Sequence, residues 1–271
     1  MQLRGKTGIV TGAARGIGKG IALALAREGV NLALVDLAAP RDESVSYELS
    51  DASRLEETAR EIEALGVRAL AVTADVTSAD DARRAVTQAV GRFGGLDILV
   101  NNAGVITYGL VAKMAEAQWD RTLGVNLKGV FLCCQAAIPA LVKSGQGRIV
   151  NIASVAGKTG HAGLAAYCAS KFGVIGFTQA LAQELGPANI TVNAVCPGYL
   201  RTAMWTGVLN KELARAWNVE PTEVFDRFVA RTTYLGREQT PADIGQCVVY
   251  LCEADNVTGE AINVAGGGEV H

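Results

Sequence analysis

Histidine is almost missing from this 271-residue chain: His161 and His271 are the only two. The six cysteines contain no CxxC pair. Cys133 and Cys134 are adjacent, Cys247 and Cys252 lie five apart, and Cys168 and Cys196 stand alone. Zinc sites draw on closely spaced Cys and His, so no metal is expected, and the thiols read as reduced core residues of a reducing compartment. A dominant charge is lacking too. With 25 Lys and Arg against 27 Asp and Glu, the chain has no electrostatic footprint for nucleic acid or a membrane surface. There is no charged and then apolar leader, no apolar run of about 18 residues, no internal repeat and no low-complexity tract. Nucleic acid and membrane are therefore not expected as partners, and a cytoplasmic location is.

What is present is alternation. Runs of strand length, "TGIVTG", "NLALVD" (31 to 36), "VRALAVTAD", "DILVNNAG", "RIVNIAS", "ITVNAVCPG" and "EAINVAGG", are separated by longer helical stretches. Several are apolar on both faces, as strands of a buried parallel sheet must be. Helix boundaries are explicit: Ser53 to Glu56 has capping-box spacing, Thr240-Pro241 offers an N-cap followed by proline, and Gly186-Pro187 ends the helix that begins near Ala165. The pattern predicts one α/β domain over residues 1–271, a doubly wound, seven-stranded parallel sheet with helices on both faces. Two segments break the rhythm. Residues 38–52 form a polar insertion. Residues 202–235 carry Trp205, Trp217, Phe225 and Phe228 after a strand end, where they serve either as a substrate lid or as packing against the sheet.

The first strand runs into Gly12, Arg15, Gly16, Ile17 and Gly18 and then a helix. Glycines let backbone approach a phosphate, and the helix end supplies free N–H groups. The spacing departs from G-x-G-x-x-G, because the third position is Ile21. Asp36 ends the second strand about 20 residues on, where a carboxylate accepts from a ribose and repels a 2′-phosphate, which favours NAD over NADP. Arg15 argues the other way if it meets that phosphate, and is neutral if it pairs with the pyrophosphate or solvent.

Taken together, TGxxxGxG, "NNAG" at 101–104, Ser154, the pair Tyr167-x-x-x-Lys171 and "PG" at 197–198 with Thr202 resemble the short-chain dehydrogenase/reductase family over essentially the whole chain. The resemblance implies a single Rossmann-type domain, a nicotinamide cofactor and a homotetramer or dimer. It implies that Tyr167 is the general acid/base, that Lys171 binds the nicotinamide ribose, and that Asn126 and Ser154 complete a catalytic tetrad. It places Asn102, Ala103 and Gly104 against the adenosine, Asp75 and Val76 at the adenine, and Pro197, Gly198 and Thr202 beside the carboxamide.

The residues agree with these roles. A phenol ionises near pH ~10, and an ammonium one helical turn away on the same face favours its phenolate. Considered alone, Tyr-x-x-x-Lys is a solvated helix face, Ser154 a turn residue and Asn126 a helix hydrogen-bonding residue. On the substrate side, His161 is either a contact or a plain loop residue, and Lys158 reads as solvated. Tyr199, Met204, Trp205, Ile106 and Tyr108 line an apolar pocket. No arginine cluster awaits a carboxylate or phosphate. Where the family commonly has aspartate before paired glycines, Ala265 precedes Gly266, Gly267 and Gly268. The insertion at 38–52 is similar to the extension of the carveol-dehydrogenase-like members. The expected activity is hydride transfer between NAD(H) and a neutral secondary alcohol or ketone: a polyol, diol, cyclic terpenoid or steroid alcohol. The alternatives are an NADPH-dependent 3-ketoacyl-thioester reductase and, in another class, a non-catalytic nucleotide-binding sensor or scaffold.

Overall fold

The structure, a computed structural model, describes residues 1–37, 52–210, 214 and 220–271. Its strands are β1 (Thr7–Thr11), β2 (Asn31–Asp36), β3 (Ala69–Thr73), β4 (Ile98–Asn101), β5 (Arg148–Ile152), β6 (Thr191–Pro197) and β7 (Ala261–Val264). They are the seven expected from the sequence. All pair in parallel, in the order β3-β2-β1-β4-β5-β6-β7.

Side chains alternate along the strands, and those of β1, β4, β5 and β6 bury on both sides. Ile9, Leu99, Ile149 and Val192 pack on α3 (Ala79–Phe93), α5 (Gly129–Ser144) and α6 (Ala165–Leu185). Val10, Val100, Val150 and Val195 pack on α1 (Gly16–Arg27), α2 (Ala52–Glu63) and α8 (Pro241–Glu253). This double burial is why the strands show no polar alternation, and each such side chain contributes about 1.5–3 kcal/mol. The chain winds outward from β1 to β3 and then returns to β4 on the other side of β1. The crevice between the carboxyl ends of β1 and β4 is thus the switch point where α/β sheets take ligands.

Helix ends follow local chemistry, with one exception. Thr240 caps α8: its hydroxyl accepts from Asp243 N at 3.2 Å, and the Asp243 carboxylate accepts from Thr240 N at 2.7 Å. Gly186-Pro187 stops α6 after Leu185. Ser53, by contrast, lies inside α2, which already includes Ala52, so its capping-box spacing does not mark the start of the helix. One helix is long and apolar on average, although Asn126, Lys128 and Gln135 interrupt its apolar run. α4 (Glu116–Leu123), a π-type wide turn (Gly124–Lys128) and α5 form one continuous 29-residue helix whose best 18-residue window has mean hydropathy 1.6. By length and composition that helix can cross a membrane; half of the window is buried inside the fold.

Between β6 and α8 lie a second π-type turn (Trp205–Leu209) and α7 (Pro221–Thr232). Residues 38–51 of the polar insertion, and Trp217, fall outside the described residues.

Candidate active site

The site begins with the turn between β1 and α1. Thr11 Oγ1 accepts from Asn102 N and Ala103 N at 3.0 and 3.1 Å, and Asn102 Nδ2 donates to Thr11 O at 2.9 Å and Gly12 O at 3.1 Å. These bonds lock the end of β1 to the end of β4. A Cβ on Gly18 would stand 2.0 Å from Gly12 O, so only glycine closes this turn. α1 then starts with no acidic residue in its first turn and no side-chain cap from Arg15. Its first N–H groups and dipole therefore remain available to an anion.

Asp36, at the end of β2, accepts from Ala14 N at 2.9 Å and from Leu37 N at 2.8 Å. Burial pushes its carboxyl up, opposed by these two amides and by the Arg15 guanidinium. The carboxylate is held rigidly and keeps lone pairs for a further donor. On the other side of the crevice, Asp75 Oδ1 accepts from Thr77 N and Thr77 Oγ1, each at 2.8 Å, and Arg121 stands 3.9 Å from Asp75 Oδ2.

At the other end of the cleft, α6 carries Tyr167 and Lys171. Both are buried. Lys171 Nζ donates to Ile152 O at 2.8 Å and lies 5.7 Å from the centroid of the Tyr167 ring. Burial brings its pKa down from 10.5 to about 8. Ser154 follows β5, and its hydroxyl accepts from Ala156 N at 3.1 Å, leaving the O–H free to donate. Asn126 sits in the wide turn after α4. Its Oδ1 accepts from Val105 N at 2.8 Å; its Nδ2 donates to Val105 O at 2.9 Å and to Ser170 Oγ at 3.0 Å, which donates to Tyr167 O at 2.7 Å. A wide turn of this kind displaces a side chain from the regular helical ladder. Here it lets Asn126 grip the backbone after β4.

One cleft of about 910 Å³ holds the expected residues together. It runs from Gly12, Arg15, Ile17 and Asp36, past Asp75, Val76 and Gly104, to Ser154, Tyr167, Lys171, Pro197 and Thr202. Asn126 alone among the expected site residues does not line it; it lies behind Gly104, where an added Cβ would come within 3.4 Å of Asn126 Oδ1. The substrate half is lined by His161, Tyr199 and Trp205 with Ile106, Tyr108 and Met204. Trp205 packs edge-on to Tyr199 and Phe225 with centroids 5.7 and 5.2 Å apart, and Phe225 is fully buried. Trp205 and Phe228 thus line the pocket, while Phe225 fills core.

Leu37, Arg54 and Arg121 also line the cleft, and the sequence does not reveal them; a lone leucine after a strand or an arginine on a helix carries no signature. Lys158 corrects an expectation. It is half-buried and engaged rather than free in solvent: its Nζ donates to Ala261 O at 2.7 Å and to His271 O at 2.5 Å. All six cysteines are free thiols, and no metal-ligating cluster occurs among the described residues.

Residues 6–213 match the family model described as short chain dehydrogenase. The chain is 39% identical over 264 residues to the 3-oxoacyl-acyl-carrier-protein reductase FabG of Staphylococcus aureus, covering 97% of each. It is 38% identical to the BbsD subunit of a hydroxy(phenyl)methylsuccinyl-CoA dehydrogenase of Thauera aromatica, covering 98% of each. Among solved structures, it superposes on carveol dehydrogenase from Mycobacterium avium in complex with NAD with a TM-score of 0.93, at 33% identity and 98% coverage of both chains. An actinorhodin polyketide ketoreductase with NADPH gives 0.89 at 39% identity, covering 100% of this chain and 99% of that one. The chain belongs to the short-chain dehydrogenase family of oxidoreductases.

Proposed function

We propose that the protein transfers hydride between NAD(H) and a neutral secondary alcohol or ketone. The observation that carries this reading is the buried Lys171 ammonium, 5.7 Å from the Tyr167 ring at the apolar end of a cleft whose other end presents the Asp36 carboxylate. The glycine-walled turn fits a pyrophosphate, Asp36 an adenosine ribose with two hydroxyls, and Asp75 with Val76 an adenine edge. When bound, the nicotinamide supplies the hydride acceptor or donor. Everything else belongs to this chain. Ser154 donates to the substrate oxygen and steadies its developing charge. Tyr167 takes the hydroxyl proton in oxidation and returns it in reduction. Lys171 favours negative charge on Tyr167, and with a pKa of about 8 it exchanges its own proton readily near neutral pH. Asn126 holds the backbone after β4 and, through Ser170, the first turn of α6 in place.

Among the described residues the substrate half has no spare arginine for a carboxylate or phosphate: Arg201 is engaged with Asp226 and Glu238 and lies over the Phe225 ring at 4.4 Å. Trp205 Nε1 is buried without a hydrogen-bond partner among the described residues. The test is a panel of cyclic and acyclic secondary alcohols and ketones with NAD(H) and NADP(H), followed at the reduced nicotinamide absorbance. No turnover with any of them overturns the reading.

A second reading, an NADPH-dependent 3-oxoacyl-thioester reductase, is favoured by the likeness to the staphylococcal reductase and by Arg15 and Arg54, two guanidiniums that line the cleft. Asp36→Ala separates the two. Losing a charged hydrogen-bond acceptor is expected to lower kcat/KM with NAD by roughly 10- to 100-fold while leaving NADP unchanged or improved. A wild type that already prefers NADPH strongly removes the role given to Asp36.

α4, α5 and α6 expose Trp119, Phe131, Val142 and Phe172, each 39–47% accessible, with Phe131 and Phe177 stacked edge to face at 6.5 Å. This face suits burial between copies in a homodimer or homotetramer. Phe131→Glu combined with Phe172→Glu is expected to yield monomers by light scattering; an unchanged mass excludes this face as the interface.

A further inference from the structure

Residues 158–163 link the turn after Ser154 to α6 and bring His161 and Ala162 to the substrate half of the cleft. Thr159, Gly160 and His161 are exposed, so the loop has little packing of its own. It is tied at both ends instead. At one end Gly109 N donates to Gly163 O at 2.9 Å. At the other end the tie comes from more than 100 residues away, in the stretch after β7. Thr159 Oγ1 donates to Glu269 Oε2 at 2.5 Å, beside the two bonds from Lys158 to Ala261 O and His271 O. Glu269 Oε1 accepts in turn from Val270 N and His271 N at 3.0 and 3.3 Å, while Asn263 Nδ2 donates to Glu269 O and His271 O at 3.2 and 3.0 Å. The side chain of Glu269 is only 9% exposed, and its carboxyl is held below the ordinary range, first by Thr159.

The path of residues 265–269 explains the three glycines. Gly267 has φ +84°, and a Cβ there would stand 2.6 Å from the Tyr234 ring; a Cβ on Gly268 would stand 3.0 Å from Tyr199 Cε2. A glycine run therefore lets the chain pass flat beneath Tyr199 and arrive with Glu269 beside Thr159. This strap touches both walls of the substrate half: the His161 loop on one side and Tyr199 on the other. Glu269 itself contacts none of the residues assigned to the cofactor or to proton transfer.

We propose that Glu269 is a positioning residue, which through Thr159 holds the 158–163 loop against the substrate half of the cleft and so sets substrate affinity without taking part in the chemistry. The proposal rests on the functional reading above. Its test uses the full chain with Glu269→Ala, with Thr159→Val from the other side of the bond, and with the double variant. With whichever alcohol or ketone the wild type turns over, KM should rise roughly tenfold in each single variant, with kcat and the Kd for the nicotinamide cofactor within about twofold, and the double variant no worse than the singles. Amide hydrogen exchange should quicken at residues 159–163 and stay unchanged at 12–18. Unchanged loop exchange, an unchanged KM, or a joint fall in kcat and cofactor affinity overturns the proposal. If the wild type turns over no alcohol or ketone, it is the functional reading that fails. Loop exchange in Glu269→Ala then decides the strap: faster supports it, and unchanged refutes it.

Discussion

Replacing Tyr167 by Phe is expected to lower kcat by about 10³-fold or more while the cofactor Kd stays within about twofold. The substitution removes one oxygen from a ring that is already 9% exposed and packed among Ile106, Val155 and Trp205, so the cavity it leaves is small. What is lost, on the reading proposed above, is the hydroxyl that exchanges a proton with the substrate oxygen. Lys171 cannot stand in for it, since its Nζ is turned to Ile152 O. His161 also lines the substrate half, but it stands in an exposed loop. Residual turnover that follows a histidine-like pH profile would transfer the proton role to His161. Turnover equal to wild type would remove the mechanism altogether.

Lys171→Met carries two opposite effects. Turnover should fall by roughly 10²-fold or more, because the phenolate loses its neighbouring charge. Stability in the absence of cofactor should rise at neutral pH. The sign follows from the lowered pKa. In the unfolded chain Lys171 titrates at 10.5, in the folded protein at about 8, and burial is the principal cause. Below about pH 8 both states hold the proton, and the fold bears the full cost of a buried cation, about 3 kcal/mol at ~1.4 kcal/mol per pKa unit. Between about pH 8 and 10.5 the folded state releases its proton first and that cost disappears. Methionine removes the charge but leaves Ile152 O without its donor, which takes back about 1–2 kcal/mol. Denaturant titrations at pH 6.5 should therefore show the variant more stable than wild type by about 1–2 kcal/mol, with the advantage gone or reversed by pH 10. A variant less stable at pH 6.5 would mean that the ammonium is better solvated than its surroundings indicate. Such an exchange of stability for activity is common where a functional charge is buried.

The sheet was readable in the sequence because its physics is local and repetitive: Val10, Leu34, Val100 and Val150 belong to runs that only double-sided burial explains. The glycine turn was readable because spacing in a turn is itself the constraint. Ser53 misled because the same four-residue spacing occurs inside a helix as well as at its start. Arg121 was passed over because an arginine on a helix ordinarily marks a wet face; it pairs with Asp75 across 46 positions. Lys158 was misread for the same reason at greater range, its acceptors lying 103 and 113 positions away. Asp36 ends the second strand as the sequence indicates, but its hold on two backbone amides is visible only in three dimensions. What a window of residues cannot show is a bond to a partner it does not contain.

The wide turn at Gly124–Lys128 has one more consequence. It puts an extra residue into a helix that otherwise advances about 100° per residue. The apolar stripe of Glu116–Leu123 is therefore out of phase with that of Gly129–Ser144 by about that angle, as though two helices had been spliced with a slipped thread. Deleting any one residue between 124 and 128 would restore an unbroken helical screw. In doing so it would rotate the buried Thr122 away from its neighbours, so at positions of this stretch other than Asn126 the chain should tolerate substitution far better than a change of length.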